Sequence, residues 1–148
     1  MTKNLKIMKL IAMSLAMTFM FSGTAMAGWK QTDSRWWYEN SNGSYPTNGV
    51  YSIQGKNYAF DKEGYMLENK WVEFTDGTWA YCTENGELAH SQWVGDYYLG
   101  GDGMMAVSTW TPDNRYVDST GKMMRNSQTP DGYYVGSDGV WDGQAANK

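Results

Sequence analysis

Residues 71–88 read W-V-E-F-T-D-G-T-W-A-Y-C-T-E-N-G-E-L, and this stretch decides the fold. Aromatic and polar side chains alternate on both sides of the Asp76-Gly77 pair. Such alternation around Asp-Gly is the strongest short-range signal of a β-hairpin. The second strand is predicted to run from Trp79 to Cys82 and to end in the turn T-E-N-G, which closes at Gly86. We predict one β-hairpin with a two-residue turn at Asp76-Gly77.

The same pattern recurs along the chain at intervals of roughly 20 residues. Each copy closes in a polar turn that ends in glycine, where a positive φ costs least. We call these the anchor glycines: Gly43, Gly64, Gly86, Gly103, Gly121 and Gly139. An isolated hairpin is marginally stable in water, whereas stacked copies bury one another's faces. The sequence therefore predicts an all-β solenoid of about six stacked β-hairpin repeats.

Two positions in each repeat are predicted to form the core. Four residues before the anchor glycines stand Glu39, Phe60, Cys82, Leu99, Val117 and Val135. Two residues after them stand Tyr45, Met66, Leu88, Met105, Met123 and Trp141. Eight tryptophans and eleven tyrosines have to supply packing that aliphatic side chains supply in most β-proteins.

The first 27 residues have the features of a secretory signal peptide. Three lysines precede an apolar run at residues 10–21, which is too short to span a bilayer, and A-M-A at residues 25–27 is a cleavage site. We expect export after cleavage behind residue 27, with no insertion into the membrane. The repeat domain is then expected at residues 28–142 and a polar tail at residues 143–148.

The residues needed for catalysis are scarce. His90 is the only histidine and Cys82 the only cysteine, so neither a nucleophile–base pair nor a cysteine metal site is indicated. The acidic residues sit mostly in Asp-Gly turns, which are poor positions for paired catalytic carboxylates. No phosphate loop, dinucleotide fingerprint or basic stripe for nucleic acid is present. We expect a non-catalytic protein without metal or cofactor.

At this point the repeats resemble the choline-binding or cell-wall-binding repeat of Gram-positive surface proteins, and its relative, the glucan-binding repeat. The family pattern is G-W, a spacer, W-Y-Y, a glycine and a Met-rich ending. It is found here as Gly28-Trp29 with Trp36-Trp37-Tyr38, as Trp71 with Trp79-Ala80-Tyr81, and as Trp93 with Tyr97-Tyr98 and Met104-Met105. The resemblance implies a left-handed superhelix with ligand clefts between consecutive hairpins.

In choline-binding members of the family, aromatic rings hold a quaternary ammonium through cation–π attraction, which is worth about 0.5 to 2 kcal/mol per contact. Carried over, this implies one full set of binding residues, Trp71, Trp79 and Tyr98 with Met105 nearby. The first junction offers Trp29 and Trp36. Two further junctions pair Trp93 with Tyr116 and Trp110 with Tyr134, where Asp96 and Asn114 replace the second Trp.

The resemblance thus implies a secreted protein that associates non-covalently with the cell wall. Its partner would be the choline of teichoic acids or a cell-wall or extracellular glycan. The alternatives are a glucan-binding module, and a structural spacer whose aromatic residues only pack the hairpins together. An envelope hydrolase is a third possibility that the scarcity of catalytic residues disfavours.

Overall fold

The computed structural model describes residues 26–144, and these residues form β-hairpins and turns with no helix. The predicted signal peptide, apart from its last two residues, and the last four residues of the predicted tail lie outside the described range. The strands are β1 (Gly28–Thr32), β2 (Arg35–Glu39), β3 (Gly49–Ile53), β4 (Lys56–Phe60), β5 (Lys70–Glu73), β6 (Trp79–Cys82), β7 (Gln92–Val94), β8 (Tyr97–Leu99), β9 (Thr109–Trp110), β10 (Tyr116–Val117), β11 (Ser127–Gln128) and β12 (Tyr134–Val135). The all-β fold of hairpin repeats is therefore confirmed.

The chain divides into two compact units. The first contains the residues up to 77 together with residues 82–88, and the second contains residues 78–81 and the residues from 89 onward. The first unit holds the hairpins β1–β2 and β3–β4, and the second holds β7–β8, β9–β10 and β11–β12. Strands shorten along the chain, from five residues in β1 to two in β12.

The first unit has the longest hairpins. In β1–β2, Trp29 lies opposite Tyr38, and in β3–β4, Tyr51 lies opposite Tyr58. Two-residue turns with positive φ at both positions join the strands, at residues 33–34 and 54–55. Such turns match the twist of the strands and are the favoured short hairpin connections.

Five of the six anchor glycines, all except Gly43, are followed by a short segment that pairs twice. Two residues past Gly64, Met66 bridges Phe60 of its own hairpin, while its amide donates to the carbonyl of Trp36 in the preceding hairpin at 2.7 Å. In the second unit, Met123 repeats the pattern with Val117 and with the carbonyl of Asp96, at 2.8 Å. These bonds link successive hairpins, so each repeat completes the one before it.

The anchor positions require glycine for two reasons. All six have positive φ, between 78° and 91°. In addition, a side chain from the preceding repeat lies where a Cβ would be at four of them: Tyr45 at Gly64, Met66 at Gly86, Met105 at Gly121 and Met123 at Gly139. At these four positions any other residue would meet both backbone strain and a steric clash, whereas at Gly43 nothing lies within 4 Å and only the positive φ favours glycine.

The predicted core is confirmed four residues before the anchors. Phe60, Cys82, Leu99, Val117 and Val135 are all fully buried. Burial raises the pKa of the Cys82 thiol to about 12. Two residues after the anchors the prediction is partly wrong, because Tyr45 is 52% exposed and Trp141 37% exposed. Tyr45 belongs to the first repeat and Trp141 to the last.

The hairpin at residues 71–88 has the predicted second strand, Trp79–Cys82. Its turn differs from the prediction. The amide of Gly77 donates to the carbonyl of Phe74 at 3.0 Å, so the tight turn spans residues 74–77, with Gly77 as its last residue. Phe74 is fully buried. Because this large side chain packs in the core, the connection between β5 and β6 is longer than the two residues expected. In the described part of the chain, no helix is long and apolar enough to cross a membrane.

Candidate ligand-binding site

Trp110 is the centre of an aromatic cluster in the second unit. It lies at the end of β9, directly opposite Tyr116 of β10, and the two rings meet edge-on with centroids 5.3 Å apart. The ring of Tyr133, from the following hairpin, meets Trp110 at 5.9 Å and 79°. Tyr133 in turn contacts Trp141 at 5.6 Å and 83°. Rings from two consecutive hairpins therefore converge.

A carboxylate is fixed beside these rings. The loop T-P-D-G spans residues 129–132. Thr129 is buried, and its hydroxyl donates to Asp131 Oδ1 at 2.5 Å. The other oxygen, Oδ2, accepts from the indole nitrogen of Trp110 at 2.8 Å. The hydrogen bonds from Thr129 and Trp110 lower the pKa of Asp131, so the group is negatively charged at neutral pH.

These side chains border an open cleft of about 390 Å³. Its lining consists of Trp110, Asn114, Asp131, Tyr133 and Trp141. The indole nitrogen of Trp141 donates to the carbonyl of Gln144 at 2.9 Å, which fixes the ring at the edge of the cleft. Aromatic walls with one carboxylate suit a small cation that cannot form strong hydrogen bonds. We call this the Trp110 cleft.

The junction one repeat earlier has a related arrangement. Trp93 of β7 lies opposite Tyr98 of β8, with ring centroids 5.2 Å apart, and its indole nitrogen donates to Asp113 Oδ2 at 3.0 Å. Arg115 also binds Asp113 Oδ2. Partial burial acts to raise the pKa of Asp113, but the hydrogen bonds from Thr111 and Trp93 outweigh it and leave the pKa lowered. We call this set the Trp93 junction.

A third cluster lies in the first unit, around Trp29. Its ring meets Tyr38 at 5.3 Å and Tyr58 at 4.8 Å, both edge-on. Phe60 stacks on it at 6.0 Å with an interplanar angle of 17°, so this large buried ring covers one face of the indole. We call this the Trp29 cluster.

The remaining side chains named from the sequence are distributed over both units. Trp36 is 39% exposed and Trp79 37% exposed. Trp71 belongs to the first unit, whereas Trp79, Tyr98 and Met105 belong to the second. Within the second unit, the amide of Met105 donates to the carbonyl of Trp79 at 2.7 Å, and Tyr98 contacts Trp93.

Two pairings differ from those drawn from the sequence. Trp110 contacts Tyr133, and Tyr134 is 44% exposed on the opposite side of the strand. Tyr116 is 8% exposed and contacts Trp110, while Trp93 contacts Tyr98.

Sequence reasoning missed Tyr133, Trp141 and Asp131 as cleft residues. One signal could have found them. T-P-D occurs twice, at residues 111–113 and 129–131, each time just before a second strand. A repeated polar loop next to aromatic residues indicates a constructed site rather than a generic turn.

Comparisons with known proteins show the family to which the chain belongs. The family model described as the choline-binding repeat matches residues 87–117 and 113–141. The choline-binding domain of Spr1274 from Streptococcus pneumoniae is 31% identical with a TM-score of 0.50, and the match covers 55% of this chain and 95% of that one. The chain belongs to the choline-binding repeat family.

Two further comparisons set the extent of the likeness. The choline-binding domain of CbpL from Streptococcus pneumoniae has a TM-score of 0.69 at 31% identity, covering 79% of this chain and 65% of that one. Glucosyltransferase-S from Streptococcus mutans serotype c is 31% identical over 85 residues, which is 53% of this chain and 6% of the enzyme. This choline-binding-repeat chain thus spans only a small part of the enzyme it resembles.

Proposed function

We propose that this protein is a non-catalytic module that attaches to the bacterial cell wall by binding choline, and that the Trp110 cleft is a choline site. The observation that carries the proposal is the convergence of three rings, Trp110, Tyr133 and Trp141, around a charged carboxylate. Ring faces attract the quaternary ammonium, and Asp131 supplies the opposite charge. Family membership supports choline as the ligand.

A glycan is the second candidate. Asn114 and Asp131 could accept or donate hydrogen bonds to sugar hydroxyls while a sugar ring stacks on Trp110. The likeness to a glucosyltransferase from Streptococcus mutans supports this alternative. Trp110 is one of the ten residues named from the sequence. Trp36, Trp71, Trp79 and Met105, also among the ten, remain proposed ligand contacts outside this cleft.

Retention on a tertiary-amine resin, followed by elution with free choline, tests the proposal. We expect the full chain to be retained and to elute with choline, and Trp110→Ala or Tyr133→Ala to elute earlier. Trp37→Ala is the matched control, because Trp37 packs on Tyr45 outside the cleft. Elution by oligosaccharide but not by choline would favour the glycan. Equal retention of all variants would favour a spacer without a ligand at this cleft.

We further propose that residues 1–27 direct export, that residues 28–142 form the wall-attached domain and that residues 143–148 are its tail. The three lysines and the A-M-A site support the first part. N-terminal sequencing of the protein recovered from a wall fraction should begin at Gly28. An intact N-terminus there would contradict cleavage.

A further inference from the structure

Two loops of the second unit are nearly identical in structure. The first is T-P-D-N-R at residues 111–115, and the second is T-P-D-G-Y at residues 129–133. In both, the Thr hydroxyl has two acceptors for its single proton, Oδ1 of the Asp at 2.5 Å and the carbonyl oxygen four residues on at 3.0 and 3.1 Å. In both, Oδ2 of the Asp accepts from a tryptophan of the preceding hairpin. The scaffold of the two sites is therefore the same.

The side chain that follows differs in charge. Where the Trp110 cleft has Tyr133, the Trp93 junction has Arg115. The Arg115 guanidinium binds Asp113 Oδ2, the oxygen that also accepts from Trp93, and its Nε donates to the carbonyl of Asp138 at 3.3 Å. Partners on both sides hold the cation in place, and only 27% of the side chain is exposed.

This exchange changes what each site can bind. The hydrogen-bond donors to Asp131 are Thr129 and Trp110, both neutral, so its negative charge remains available to a ligand. Asp113 already has a cation of the chain itself as its counterion. A second cation brought there would face a like charge and would find two rings fewer, because Arg115 stands where the cleft has Tyr133 and Met123 stands where it has Trp141.

We propose that Arg115 is a specificity-determining residue that closes the Trp93 junction to quaternary ammonium ligands, while Tyr133 leaves the Trp110 cleft open to them. This inference rests on the proposed function, because it names which of two built junctions takes the ligand. It gives the second unit one selective cation site where the repeat pattern offers two.

Choline titration of the full chain by calorimetry, which yields the number of choline molecules bound per chain, tests this assignment. Arg115→Tyr should bind one more choline than the wild type, with an affinity within about tenfold of that of the Trp110 cleft. Tyr133→Arg should bind one fewer. The matched control is Lys62→Tyr, which removes the same charge from an exposed pair with Glu63 in the first unit and should leave the number unchanged.

The outcomes distinguish a failure of this inference from a failure of the proposed function. If a folded Arg115→Tyr chain binds the wild-type number of choline molecules, Arg115 is not the determinant and the inference fails. An equal gain in Lys62→Tyr would mean that net charge alone is responsible, which also overturns it. Should Arg115→Tyr fail to fold, Tyr133→Arg is compared with Tyr133→Ala: a larger loss of choline binding in the arginine variant supports exclusion by the cation, and an equal loss contradicts it. A wild-type chain that binds no choline removes the proposed function, and the inference with it.

Discussion

The Trp29 cluster of the first unit and the Trp110 cleft of the second consist of residues at the same repeat positions. The first is filled by a buried ring, and the second borders an open cleft. In both, a first-strand tryptophan meets the tyrosine opposite it at 5.3 Å and a tyrosine of the next hairpin. At Trp29 the next hairpin also supplies Phe60, which stacks on the indole. At Trp110 the corresponding residue is Val135, and an open cleft lies beside the ring.

The difference shows that the same repeat positions can either be filled by a buried ring or border an open cleft. A buried phenylalanine fills the space against the indole, whereas a valine at that position has no ring to place there. The second cluster has Asp131 bonded to its indole, while the turn that precedes β4 in the first is Gln54-Gly55 and carries no acid. We conclude that the residue four before the anchor glycine, together with the turn before it, decides whether the aromatic rings form core or site.

Removing Phe60 should have the largest effect. Phe60→Ala deletes a fully buried ring, so we expect the free energy of unfolding to fall by about 3 to 5 kcal/mol. Val135→Ala, the equivalent change beneath the open cleft, removes less and should cost about 2 kcal/mol. Urea titration followed by tryptophan fluorescence measures both. Equal costs would mean that Phe60 does not fill the first cluster as its burial indicates.

Tyr58 contacts Trp29, and Tyr133 contacts Trp110. Substituting the first should change stability, and substituting the second should change choline binding. Tyr58→Ala should lower the free energy of unfolding by about 1 kcal/mol, the scale of an aromatic pair, and should leave choline binding unchanged. Tyr133→Ala should remove one bound choline per chain, or weaken it about tenfold, because it deletes the ring between Trp110 and Trp141. Thermal melts and calorimetry report the two quantities. If Tyr58→Ala also loses a choline, the Trp29 cluster is a site, and the comparison fails.

Much of the fold could be predicted from the sequence because its signals are local. Positive φ at a turn favours glycine, so the anchors could be read directly, and all six have that conformation. Strand alternation gave the buried position four before five of the six anchors, and the strand Trp79–Cys82 was found with its bounds. The turn at residues 74–77 was missed because the burial of Phe74 is a tertiary effect.

The cleft was harder to predict because it depends on how hairpins stack. Tyr133 precedes β12 and contacts Trp110, whereas Tyr134, the first residue of β12, is 44% exposed, so two adjacent tyrosines have different surroundings. The sequence indicated Tyr134, and the structure places Tyr133 beside Trp110. Which face turns toward the preceding tryptophan is set by bonds between repeats, such as that from the Trp141 amide to the Asn114 carbonyl. A single repeat does not encode that choice.

The smallest expected effect concerns the charge at Asp131, which the Trp29 cluster lacks. The pKa of Asp131 is lowered from 3.8, so the carboxylate stays charged as the pH falls from 7 to about 4, and choline affinity should be constant over that range. Below it, protonation should weaken binding, and the stability that the ionised group contributes is lost as the pH falls through the lowered pKa. Asp131→Asn should bind choline severalfold more weakly at pH 7, with no such decline, because the amide does not titrate. Calorimetric titrations between pH 3 and 7 compare the two chains. A decline centred well above pH 4 in the wild type would assign the charge dependence to another group, since a carboxylate with a lowered pKa has no proton to gain there.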